Sequence, residues 1–227
     1  MVAPPSPSPA SAPCPQAILF DLDGTLLDSI ELILRSARYA FEKLKRTPPS
    51  DDEWRANVGI PLFTTFRRYA DESEIPTFIA AYREYQLANH DRLTRCYDGA
   101  ASTISELRRR GHDIAVVTSK SEALAMRGLA LVGLARHMDT VVGCDASTRH
   151  KPDPEPVRIA LRRLDCAPEN AIFVGDSVHD VMAGNAAGVR TIAATWGAGR
   201  REELEPANPA LVLNQIAELT SWLSANS

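Results

Sequence analysis

The sequence predicts an α/β protein: a parallel sheet covered by helices on both faces, with an all-helical segment inserted after the first strand. Three observations predict it. The apolar run Ala17-Ile18-Leu19-Phe20 reads as a short strand buried on both sides. From residue 97 onward, apolar strands alternate with helical patterns at the spacing of βα units. Between these regions, residues 29–95 carry helical periodicity and no convincing strand.

Taken in order, residues 1–15 are mostly Pro, Ser and Ala, without a basic or an apolar region of signal-peptide type, and read as a disordered tail. After the first strand, Ile30 to Lys45 has apolar residues at helical spacing, and Thr47-Pro48-Pro49 breaks it. Ser50 or Asp51 can cap a short helix through Ala56, Val58 to Leu62 is a turn, and Leu62–Ala70 and Pro76–Asn89 are helical. The second half then alternates. Helices are expected at Ala100–Arg110 (closed by Gly111), Ser121–Leu131, Pro154–Leu164, Val178–Ala187 and Gln215–Leu223. Strands are expected at Asp113–Thr118, Thr140–Cys144, Asn170–Asp176 and Val189–Thr195. The division that follows is a tail (1–15), a Rossmann-like core (16–28 and 96–227) and a helical insert (29–95).

The 227 residues are 44% hydrophobic and 24% charged, with a formal net charge of -4. That balance fills a core and gives no electrostatic reason to expect nucleic acid or an anionic membrane as partner. No apolar run approaches the ~20 residues of a membrane span. Cys14, Cys96, Cys144 and Cys166 are scattered without metal-ligand spacing, as expected for reduced thiols in the cytoplasm.

Chemistry-capable residues gather where strands end. The first strand runs into Asp21 and Asp23, which leave on the same side, then into Gly24, where the backbone can turn sharply. Two carboxylates there suit Mg²⁺, a hard cation that shares oxygen ligands with phosphates. The next strand ends in Thr118 and Ser119, a hydroxyl and a following N–H suited to a phosphate oxygen. A later one ends in Asp176, with Asp180 one helical turn on, so that both can face the same cation. Lys151 precedes a helix start marked by prolines, and a lysine there can neutralise carboxylates and phosphate. Taken singly, Thr118 reads as a β-branched strand end and Lys151 as a surface charge. Together, and in this order at strand termini, they point to one site.

Asp21-Leu22-Asp23-Gly24-Thr25, Val117-Thr118-Ser119-Lys120, His150-Lys151-Pro152 and Gly175-Asp176-Ser177-Val178-His179-Asp180 resemble the four motifs of the haloacid dehalogenase-like hydrolase superfamily. The helical insert resembles that superfamily's small cap. Val58-Gly59-Ile60-Pro61-Leu62 and Lys151 to Pro156 are most similar to phosphoglycolate phosphatases and the related pyrophosphatases. The resemblance implies a Mg²⁺-dependent phosphoric monoester hydrolase, monomer or homodimer, acting on a small phosphorylated metabolite through a phospho-aspartate. The best single substrate is 2-phosphoglycolate, and pyrophosphate hydrolysis or sugar phosphomutase chemistry are the alternatives. By the same resemblance, Asp21 is the nucleophile and Asp23 the acid and base. Asp21, Asp23 (through its main-chain carbonyl), Asp176 and Asp180 hold the metal, Gly24, Thr118, Ser119 and Lys151 cradle the phosphate, and Thr118 and Lys151 are catalytic with Asp21 and Asp23. Asp23 argues against a dehalogenase, which needs no acid two residues after its nucleophile. Ser119 stands where many phosphoglycolate phosphatases have Asn, a departure that bears on substrate. Arg35, Arg67 and Arg68 of the insert are candidates for binding a carboxylate on the leaving group.

Overall fold

The computed structural model describes residues 15–226. The N-terminal tail lies outside them except for Pro15. The chain opens with β1 (Ala17–Phe20) and β2 (Leu27–Asp28), followed by the helices α1 (Ile30–Lys43), α2 (Asp51–Arg55), α3 (Leu62–Phe66) and α4 (Ile75–Leu93). It returns through β3 (Arg95–Cys96) to α5 (Ala100–Arg109), β4 (Asp113–Val117), α6 (Glu122–Leu131), β5 (Thr140–Val142) and α7 (Glu155–Arg163). The last elements are β6 (Ala171–Gly175), α8 (Val178–Ala187), β7 (Arg190–Ala194), α9 (Arg201–Leu204), β8 (Leu211–Leu213) and α10 (Glu218–Ala225).

Six strands make one sheet in the order β5-β4-β1-β6-β7-β8, parallel throughout. Their two-residue period divides the core. Ile18, Phe20, Ile114, Val116 and Ile172 point to one face and pack with Leu107 of α5, Leu129 of α6 and Leu219 of α10. Leu19, Ala115, Val117 and Phe173 point to the other, against Val157 and Leu161 of α7 and Ala183 of α8. Both faces are covered, which is why these strands read as unbroken apolar runs rather than alternating ones. The chain builds outward from β1 to β4 and β5, then crosses back to β6 on the other side of β1. Strand order therefore reverses at β1, and the crevice at its C-terminal end is where such sheets bind ligands.

The helices α1–α4 bury a core of their own around Phe41, Trp54, Phe66, Phe78 and Tyr82. The Phe41 and Phe78 rings lie 5.0 Å apart and those of Trp54 and Phe66 5.2 Å apart, within the range of favourable aromatic pairs. Ser50 caps α2 reciprocally with Glu53: the Ser50 N–H donates to Glu53 Oε2 at 2.8 Å, and the Glu53 N–H donates to the Ser50 hydroxyl. Where the chain leaves the sheet and returns, β2 and β3 pair antiparallel, Leu27 opposite Cys96 and Asp28 opposite Arg95.

Several elements differ from expectation. Helix α1 ends two residues early because Lys45 adopts φ +56°, a left-handed turn that stops a helix. Helix α3 ends at Phe66 rather than Ala70, and α10 begins at Glu218. The edge strand β8 was not expected, since three residues give too little periodicity to read. No helix among the described residues is long and apolar enough to cross a membrane.

Candidate active site

The nucleophile candidate emerges directly from β1. The Asp21 N–H donates to the Val174 carbonyl of β6 at 2.8 Å, extending the sheet ladder by one residue and fixing where the side chain leaves it. Its carboxylate is buried, and Oδ1 accepts from Lys151 Nζ at 2.6 Å. The same ammonium donates to Asp180 Oδ1 at 2.6 Å and to the Val117 carbonyl at 3.1 Å. Lys151 is thus no surface charge. It is 4% exposed, and all three of its protons are spent inside the site.

Oxygens of Asp21, Asp176 and Asp180 lie within 4.8 Å of one another, each buried. Asp176 is fixed from three sides: Thr25 Oγ1 donates to its Oδ1 at 3.0 Å, the Ala198 N–H donates to Oδ2 at 2.6 Å, and Gly24 packs against the carboxylate. Gly24 has φ +87°, and a side chain there would collide with Asp176. Gly197, after β7, is required for the same reason from the opposite side. Asp180 closes the N-terminus of α8 through its Oδ2, which accepts the Ser177 N–H at 3.0 Å, while the Asp180 N–H donates to the Ser177 hydroxyl. Its other oxygen is left for Lys151.

Burial raises the Asp21 carboxyl well above its usual range; the Lys151 ammonium opposes this, and the Asp180 and Asp176 charges reinforce it. Asp176 is pushed up to about 7, by burial first and then by Asp180. Burial alone would lower the Lys151 amine, but the Asp180 and Asp21 carboxylates hold it above its ordinary value. Three acids crowd around one lysine, so the site gathers more carboxyl groups than Lys151 alone can pair.

Asp23 sits outside that cluster. Lys120 Nζ donates to both of its carboxylate oxygens, and the Ser29 hydroxyl donates to Oδ1. Both lysines are buried. Thr118 continues β4 and lines the cavity, its Oγ1 accepting the Lys120 N–H at 3.2 Å. The Ser119 hydroxyl donates to the Gly59 carbonyl, tying the sheet edge to the turn between α2 and α3.

The cavity at this edge has a volume of about 60 Å³. Asp21, Asp23, Thr118, Ser119 and Lys120 form its floor, and Ile33, Trp54, Val58, Leu62 and Tyr82 of the insert wall it. The expected cap arginines are not among its lining residues. Arg35 pairs with Glu31 at 2.5 Å in a separate surface groove, Arg67 pairs with Glu72 with its side chain 56% exposed, and Arg68 reaches only Asn57, at 2.7 Å. The insert residues that do bring polar groups to the cavity include Arg83 and Gln86 of α4 and Asn57. Sequence reasoning missed them because α4 shows no clean apolar stripe from which an inward face could be read. Lys120, in the second motif, carries no local signal that would reveal its reach to Asp23, 97 residues away.

Residues 18–194 match the family model of haloacid dehalogenase-like hydrolases. The pyrophosphatase PpaX of Bacillus velezensis is 38% identical over 203 residues, spanning 89% of this chain and 94% of its own. The pyrophosphatase PpaX of Bacillus cereus is 35% identical over 207 residues, 91% and 95% of the two chains. Among solved structures, a predicted phosphatase from Clostridium acetobutylicum superposes with a TM-score of 0.85 at 31% identity, covering 93% of this chain and 99% of its own. A predicted phosphoglycolate phosphatase from Haemophilus somnus shares the fold, with a TM-score of 0.82 at 22% identity over 91% and 97% of the two chains. The sequence motifs, the sheet order and the buried acid cluster at the end of β1 agree with these likenesses. The chain belongs to the haloacid dehalogenase-like hydrolases.

Proposed function

We propose that the chain is a Mg²⁺-dependent phosphatase that works through a phospho-aspartate on Asp21, with pyrophosphate its preferred substrate over 2-phosphoglycolate. The observation that carries the reaction class is the placing of Asp21 at a cavity floor between a buried lysine and two further buried acids, with Asp23 two residues on. The donor set fits Mg²⁺: hard carboxylate oxygens of three buried acids converge around a single lysine. Asp21, Asp176 and Asp180 would hold it, together with the main-chain carbonyl of Asp23. When bound, Mg²⁺ supplies positive charge between the carboxylates and the phosphoryl oxygens.

Asp21 attacks phosphorus, forming an acyl phosphate and releasing the leaving group, which splits hydrolysis into two easier steps. Lys151 holds Asp21 in one orientation and screens it from the incoming phosphate. The Thr118 hydroxyl, with the N–H groups near Ser119 and Gly24, binds the transferring oxygens. Asp23 takes a proton from the water that cleaves the acyl phosphate. The helical insert covers the site, excludes water and contacts the leaving group.

Two observations favour pyrophosphate. The relatives at 35–38% identity are pyrophosphatases by name. The second is geometric: both Asp23 oxygens already accept from Lys120, and one also from Ser29. An acid so engaged serves best where the departing group needs little protonation. Orthophosphate leaves far more readily than the alkoxide of glycolate.

Phosphate release by the purified protein with Mg²⁺ tests this, comparing kcat/KM for pyrophosphate and 2-phosphoglycolate with Asp21→Asn as control. A preference for pyrophosphate that vanishes in the variant is expected. Preference for phosphoglycolate would keep the mechanism and overturn the substrate, and wild-type turnover by Asp21→Asn would sink the covalent route.

A further inference from the structure

The cations of the site are not equivalent. Lys151 is committed to Asp21 and Asp180, and Lys120 to Asp23. Arg83 of α4 also lines the cavity, half-buried, and among the described residues it has no carboxylate partner. Its Nη1 donates to Oε1 of Gln86, one helical turn on, and Gln86 is itself 2% exposed and a lining residue. A buried amide three residues along the same helix face orients the guanidinium toward the cavity without neutralising it. Twelve of the described arginines have a carboxylate partner; Arg83 is not among them, and it is the arginine that lines this cavity.

The two ends of the cavity differ in kind. Its floor offers the carboxylates and the phosphate cradle, where the transferring group must sit to meet Asp21. Its roof, on the insert, is apolar at Trp54, Tyr82 and Leu62, and its polar side chains are Asn57, Thr65, Arg83 and Gln86. A group bound at the floor therefore presents its leaving end to Arg83. The cavity between floor and roof is small, with a volume of about 60 Å³.

We propose that Arg83, oriented by Gln86, binds the anionic end of the leaving group, so that the site selects small phosphate esters or anhydrides whose leaving group itself carries negative charge. This rests on the phosphatase reading above and extends it from the reacting phosphorus to the choice of substrate. Guanidinium matches both a phosphate and a carboxylate bidentately, so Arg83 selects the class, and the Lys120–Asp23 arrangement selects within it.

The test compares pyrophosphate with acetyl phosphate, a small activated substrate whose leaving group is uncharged before the bond breaks, at fixed free Mg²⁺. In Arg83→Met, kcat/KM for pyrophosphate is expected to fall about 100-fold, as for loss of one partner of a desolvated charge pair, mostly through KM. The ratio of pyrophosphate to acetyl phosphate turnover is expected to fall by at least about 30-fold, and Arg83→Lys to recover part of it. Because the readout is a ratio within one protein, a general loss of folded enzyme does not mimic it. A ratio within about threefold of wild type would overturn the role of Arg83 while leaving the phosphatase reading intact. A wild-type protein that cleaves neither substrate overturns both.

Discussion

Replacing Lys151 with Met keeps the length and apolar stem of the side chain and removes one charge from the centre of the site. The ammonium is 4% exposed and satisfies Asp21 and Asp180 at 2.6 Å each. Without it, three carboxylates with oxygens within 4.8 Å of one another remain buried without a cation. Removing one partner of a buried ion pair costs about 3–5 kcal/mol, and this is the range expected for metal-free protein at pH 8. At about 2–4 °C per kcal/mol for a chain of this size, Tm should fall by on the order of 10 °C. The loss must shrink on acidification. Asp21 and Asp176 are already raised by burial and by neighbouring acids, and removing Lys151 raises them further. The folded variant then binds more protons than the unfolded chain, so its stability falls as pH rises. Thermal unfolding of both proteins in EDTA at pH 5 and pH 8 gives the comparison. A drop below about 3 °C at pH 8, or an equal drop at both pH values, would refute the claim that Lys151 neutralises a buried acid cluster.

The wild-type protein carries a weaker form of the same dependence. Asp176, pushed up to about 7 from 3.8, retains its proton in the folded state over a window where the unfolded chain has lost it. Stability of metal-free protein should therefore decline from about pH 4 to about pH 7 and then level, and saturating Mg²⁺ should flatten that slope, both read from Tm against pH. Asp23→Asn should lower kcat for pyrophosphate by about 10²- to 10⁴-fold, and rapid-quench measurement should show phospho-enzyme accumulating because the water step loses its base. A variant that releases phosphate at the wild-type rate would exclude Asp23 as that base.

What could be read from the sequence is what local chemistry encodes. The strand Ala17–Phe20 is apolar throughout because β4 and β6 flank it and helices cover both faces, and its abrupt end in Asp21 marks the sheet edge. Asp176, Gly24 and Thr118 were legible for the same reason, since each ends or follows a strand or its turn. Lys151 looked like a surface charge when taken singly. Its burial depends on Asp21, 130 residues away, and no local pattern carries that. The three cap arginines failed from the opposite direction. Arginine on a helix was legible, but its direction is set by which face α1, α3 and α4 bury against one another, and Arg35 and Arg67 fall on the outside with acids close by in sequence. Strand β8 was missed because three residues at a sheet edge are specified by pairing with β7 rather than by their own period.

The site's two lysines divide the chemistry between core and insert. Lys151 serves Asp21 and its acid neighbours, and its hydrogen bonds all lie within the α/β core. Lys120 follows β4 yet closes on Asp23, at the floor of a cavity whose walls come from α1–α4. Moving the insert away would leave Asp21, Lys151, Asp176 and Asp180 in place, because none of their hydrogen bonds reaches into it. It would remove Arg83, Gln86 and the apolar walls. The proposed mechanism thus assigns phosphoryl transfer to the core, at Asp21, and the choice of leaving group to the insert.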